Sequence, residues 1–175
     1  MTTTADSTSS SGAVAFEILV GVTALGAVIA GGALFAFSAF VMPALSSIPV
    51  PSAIESMQAI NVAAPRSALM VPLMGSALTA AVCGVWAVIA RPAGWVLVLV
   101  GVVGTIAAFA VTAIYHVPRN DAFASADLAD AAAWQSYRTG WTLWNHVRVG
   151  LYFASGVVLA IAAALPATRS ADAAL

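Results

Sequence analysis

From Ile18 to Ile54 the chain carries no charged side chain, and three more such stretches follow at Ser67–Ala90, Pro92–Pro118 (His116 counted as neutral) and Val149–Thr168. This pattern constrains the fold more than any single motif does. A membrane-crossing helix needs about 20 mainly apolar residues. Within a bilayer the backbone must satisfy its own hydrogen bonds, and in runs of this length that means helix. The pattern therefore predicts an all-α, integral membrane four-helix bundle, with spans at 15–43, 68–90, 94–116 and 147–166.

Composition points the same way. The chain is 62% hydrophobic and 7% charged, with a mean hydropathy of +0.99, whereas a soluble domain carries about 25% charged residues. So few charges cannot cover a water-facing surface, so the lipid bilayer is the expected partner and a bacterial cell membrane the expected location. The net charge is −1, with six arginines and no lysine, which offers no basic patch for nucleic acid. Cys83 is the only cysteine and reads as a small core residue rather than half of a disulfide. The two histidines, His116 and His146, fall in no metal-binding spacing, and no metal or other cofactor is expected.

The 175 residues suit one domain, expected over 13–168. Residues 1–12, "MTTTADSTSSSG", read as a disordered tail without the basic start of a cleaved signal peptide, and 169–175 as a short tail. Gly26, Ala30, Gly31 and Gly32 form a small-residue strip in the first span, suited to close helix approach or to a homo-oligomer contact. Arg91-Pro92-Ala93-Gly94 makes a tight turn between spans two and three. The other two connections, 44–67 and 117–146, are long, and with an even number of spans they emerge on the same side. They are therefore expected to meet and cap one end of the bundle. Arg66, Arg119, Arg138 and Arg148 lie on that side, against Arg91 and Arg169 on the other, which predicts a cytoplasmic cap.

The polar residues concentrate in these connections. Residues 53–66, "AIESMQAINVAAPR", have Ile54, Met57, Gln58 and Asn61 at helical spacing, as for a short helix at the membrane edge. In "WQSYRTGWTLWNHVR", residues 134–148, helical geometry puts Trp134, Tyr137, Trp141, Asn145 and Arg148 on one face, Trp144 at its edge and His146 away from it, provided Gly140 does not break the helix. Taken alone, Trp134, Tyr137 and Arg138 read as an interfacial belt. Asn145, His146 and Arg148 at the mouth of a span are costly there, and mark either a site or helix-to-helix glue. In "HVPRND", Pro118 is expected to end span three near His116, and Asn120 and Asp121 suit the N-cap of a following helix. His116 and Arg119 have no such local explanation. Together with Gln58 and Asn61 they supply a base, a cation and several amides around an aromatic-walled pocket, fit for a flat, partly polar, lipophilic aromatic molecule.

Four segments, "GGALFAFSAFVMPAL" at 31–45, "MQAIN" at 57–61, "VPRNDAFA" at 117–124 and "WNHVR" at 144–148, resemble a bacterial and fungal family of small four-helix membrane proteins that includes the fungal anthrone oxygenases. The family commonly has Asn-x-Pro-Leu-Asn after the third helix, where this chain has His116-Val117-Pro118-Arg119-Asn120, and often an aromatic where it has Leu69. The resemblance implies oxidation of an anthrone, or of a related polycyclic or quinol-like substrate, by dioxygen without metal or flavin. Under that reading His116 or His146 is the base, Arg119 or Arg148 steadies the oxyanion with Asn120 and Asn145, and Trp141 and Trp144 stack on the substrate, with Gln58 and Asn61 as further contacts. The competing expectation is a non-enzymatic membrane subunit or a protein that binds or moves a lipophilic molecule. A further alternative is a scaffold whose polar cluster is packed solid.

Overall fold

The computed structural model describes residues 3–165. Every element among them is helical: α1 (Thr3–Ala36), α2 (Met42–Ser46), α3 (Val50–Ala63), α4 (Met70–Ala90), α5 (Trp95–Val111), α6 (Val117–Phe123) and α7 (Ala131–Ala164). Four continuous helical stretches are long and apolar enough to cross a membrane: Ser11–Ser46, Met70–Ala90, Trp95–Phe123 and Ala131–Ala164. The protein is an all-α four-helix membrane bundle. Each long helix packs on two others, in the cyclic order α1, α4, α5, α7.

Small residues make this packing close. On α1 the buried stripe is Phe16, Val20, Ala24, Ala27, Ala30 and Leu34; on α4 it is Leu73, Ala77, Ala80, Cys83 and Ala87. Lipid tails are as apolar as leucine, so helices in a bilayer associate through such close backbone approach rather than through hydrophobic burial. The large apolar side chains, among them Leu25, Ile29, Leu78, Ile89 and Val103, face outward. The glycine strip of α1 is largely used within the chain. A Cβ on Gly26 would meet Ser76 of α4 and one on Gly31 would meet Tyr152 of α7, and only Gly32 has open space.

Between α4 and α5 the turn is as short as expected, with Arg91 and Gly94 in left-handed conformations (φ 46° and 74°). At the other end α3 packs against α6 and α7, so the two long connections do meet. The helices overrun the expected spans. α1 is helical from Thr3, ahead of the expected start and into the segment read as a tail. The fourth long helix begins at Ala131 and passes through Gly140 without a break. The expected end of that span at 166 and the tail at 169–175 lie outside the described residues.

Two prolines account for the largest departures. Pro118 was expected to stop the third span near His116, and the first span, expected over 15–43, was to end at Pro43. Neither span ends there. A π-helical turn precedes each one, at Phe37–Val41 and at Thr112–His116. In these turns the Met42 N–H donates to the Phe37 carbonyl, and the Val117 N–H to the Thr112 carbonyl, five residues back instead of four. A proline ring collides with the carbonyl four residues before it. The wider turn relieves that collision, so the helix continues to Ser46 in one case and Phe123 in the other. Asn120 and Asp121 therefore lie inside α6 rather than capping a helix. The N-cap of α7 is Asp130, whose Oδ1 accepts from the Ala133 N–H at 2.8 Å.

Candidate functional site

The helices enclose a cavity of about 170 Å³ where the bundle meets its cap. Leu34 of α1 and Leu73 of α4 line it from the bundle core, Met57, Ile60 and Asn61 from α3, and Trp141 and Arg148 from α7. Phe37 from one π-turn, Thr112 and His116 from the other, and Asn120 from α6 complete the wall. The π-turns are thus parts of the site, as such turns often are. Most of the wall is apolar, with a few convergent polar groups, the usual make-up of a small-molecule site.

His116 is 1% exposed and lines the cavity. Neither ring nitrogen has a hydrogen-bond partner of good geometry among the described residues; the Trp144 backbone is the nearest polar main chain facing the ring. The imidazole stands edge-on to Trp141 at 5.1 Å between centroids and to Tyr115 at 5.5 Å. The Trp141 indole N–H is also buried without a partner.

Arg148 is 4% exposed. Its Nε donates to Asn145 Oδ1 at 2.8 Å and its Nη1 to Thr112 Oγ1 at 3.2 Å, and its guanidinium lies 5.3 Å from the Trp141 ring. Asn145 is held in turn, donating through Nδ2 to the Leu34 carbonyl at 2.9 Å and to Ser38 Oγ at 2.6 Å. This chain of bonds ties α7 to both π-turns. A second chain crosses the cap: Asn61 Nδ2 donates to Tyr137 Oη at 3.0 Å, and Tyr137 Oη to Asn120 Oδ1 at 2.7 Å. Tyr137 is further fixed by stacking on Phe123 at 3.9 Å.

Of the ten residues singled out in the sequence, Asn61, His116, Asn120, Trp141 and Arg148 share this cavity. The other five lie elsewhere. Asn145 sits behind Arg148 and orients it. Gln58 donates to the Phe123 and Ala126 carbonyls, fastening α3 to the loop after α6. Arg119 lies outside the cavity wall, between the Tyr115 and Tyr137 rings, with Nη2 donating to the Ser136 carbonyl at 2.6 Å. Trp144 is 39% exposed and leans on Tyr115. His146 is exposed on the far side of α7. The buried face of α7 is the expected one, from Trp134 through Arg148.

Thr112, Ser38 and the Tyr137 hydroxyl escaped the sequence reading. Thr112 stands four residues before His116, and that spacing is the signal that could have found it. Tyr137 carries none, because an interfacial tyrosine and a bridging one look alike in sequence. Gly140 has a role other than breaking a helix. A Cβ there would lie 2.5 Å from Tyr115 Oη and 3.2 Å from Arg119 Nη2, so its bare backbone admits both groups. Among the described residues no group of three or more His, Cys, Asp or Glu side chains is arranged to hold a metal ion.

No curated protein and no solved structure matches the chain. The sequence profile of the anthrone oxygenase family matches residues 66–158, more than half of the chain, taking in α4, α5, α6 and most of α7 and with them His116, Asn120, Trp141 and Arg148. The chain belongs to the anthrone oxygenase family.

Proposed function

We propose that the cavity is the reaction chamber of an oxygenase that oxidises a fused-ring ketone or quinol with dioxygen. The observation that carries this reading is His116: a buried imidazole with no side-chain hydrogen-bond partner among the described residues, facing only the Trp144 backbone, on a cavity wall shared with the Arg148 guanidinium. Such a pair suits a substrate with an acidic C–H conjugated to a carbonyl. His116 takes the proton from carbon, and the electron pair delocalises onto the carbonyl oxygen, which faces Arg148. The enolate passes one electron to dioxygen, and the two radicals join in a C–O bond as a peroxide. His116 returns its proton to the peroxide. Loss of water, taking the second hydrogen of that carbon, leaves a new carbonyl, so one dioxygen yields one carbonyl oxygen and one water. Trp141 offers a flat face to the rings, and Asn61 and Asn120 offer amides to ring oxygens.

Size limits the substrate. At about 170 Å³ the cavity is below the roughly 300–1,000 Å³ common for drug-sized ligands, which favours two or three fused rings over larger polycycles. The open volume also weighs against a scaffold whose polar cluster is packed solid. Oxygen uptake by purified protein, stripped of metals by chelation and given a panel of anthrones and quinols, tests the proposal. Uptake with at least one of them is expected, and His116→Gln is expected to slow it by roughly 100- to 10,000-fold, the usual contribution of a general base. Ligand binding with no uptake for any substrate would favour a non-enzymatic carrier instead.

A further inference from the structure

Among the described residues, Arg148 is a buried cation without a counter-ion. Its hydrogen bonds go to a neutral amide and a neutral hydroxyl, and its ring partner is an indole. The ionisable groups that interact with it are Tyr137, Tyr152 and His116, none of them a carboxylate. The acids whose side chains are described, five in number, lie elsewhere. Asp127 and Asp130 cap backbone N–H groups at the start of α7, Glu55 and Asp121 are exposed, and Glu17 lies at the opposite end of the bundle. A charge removed from water is expensive unless it is paired, and within a membrane protein such a residue marks the place where a partner binds. Among the described residues, Arg148 lines the cavity, which leaves open space beside its guanidinium.

The geometry points to a ligand class: the cavity takes a flat aromatic acid as its anion, with the charged oxygen against Arg148 and the rings against Trp141. The occupant brings the charge that the protein omits. A size of two or three fused rings suits the cavity of about 170 Å³, and the ionised oxygen is a phenolate or carboxylate. The inference rests on the same cavity as the oxygenase reading and names the state in which substrate is held. It does not depend on turnover.

The probe is 2-naphthoate, compared with 2-acetylnaphthalene, an uncharged ketone of similar shape. Binding to the purified protein in detergent is followed by tryptophan quenching under nitrogen, so a protein that binds without oxidising anything still gives a result. The wild type is expected to prefer naphthoate by roughly 10- to 100-fold, as one charge-assisted hydrogen bond provides. Arg148→Gln is expected to erase that preference by weakening naphthoate binding far more than ketone binding, while Arg148→Lys and Arg119→Gln keep it. A wild-type ratio near one overturns the inference, and decides the matter by itself if Arg148→Gln does not fold. A preference that survives in folded Arg148→Gln, or that Arg119→Gln abolishes, overturns it too. Displacement of naphthoate by chloride or acetate at equal concentration overturns the aromatic part.

Discussion

Single residues in this site divide into those that face the cavity and those that hold them in place. Asn145 belongs to the second kind, since all its side-chain bonds are spent on Arg148, Ser38 and the Leu34 carbonyl. Asn145→Leu keeps the size but strands three buried polar partners. It is expected to cost about 1–3 kcal/mol, seen as a lower unfolding temperature in detergent, and to weaken naphthoate binding because Arg148 is no longer held. Tyr137→Phe removes only the hydroxyl between Asn61 and Asn120. It should cost less, about 0.5–1.5 kcal/mol, in the same measurement. Gly140→Val places a branched side chain where Tyr115 Oη and Arg119 Nη2 approach. A destabilisation of about 1–3 kcal/mol is expected from overpacking; no change in unfolding temperature would mean that α6 does not press on α7 there.

At the scale of elements, the two π-turns separate what could be read in the sequence from what could not. Uncharged length and small-residue spacing were enough to recognise the four long helices and the tight turn at Arg91. The face of α7 from Trp134 to Arg148 followed from helical periodicity alone. Prolines 43 and 118 were misleading, because local preference says that helix ends before proline, while in lipid a broken helix leaves backbone groups unsatisfied. The π-turn reconciles the two, and it also shifts the helical phase of every residue beyond it. Nothing in the sequence announces that shift, so it could not tell which of His116, Arg119 and Asn120 share a wall. Arg119 and Asn120 are neighbours in sequence but lie outside and on the cavity wall respectively. Pro118→Ala removes the need for the wider turn. Helix content by circular dichroism is expected to stay constant, while His116 rotates off the wall and oxygen uptake falls. Unchanged uptake would show that the turn is held by packing and not by the proline.

The whole molecule is a membrane bundle with the candidate site at one end. Its long connections meet at the cap, and its tight turn lies at the other end. Cysteines at exposed positions test this arrangement in membranes. With Cys83 replaced by alanine, Ser47→Cys and Ser125→Cys should react with a membrane-impermeant maleimide from one side, and Ala93→Cys from the other. Reaction of all three from one side would contradict the even number of crossings. At the cap a largely apolar cavity brings His116 and Arg148 to one wall, where the proposed oxidation would take place. Mass spectrometry of the product formed under isotopically labelled dioxygen tests it most directly. With an anthrone as substrate, a quinone carrying a single labelled oxygen is expected, formed by the wild type and not by His116→Gln. A product without label, or equal yields from both proteins, would contradict it.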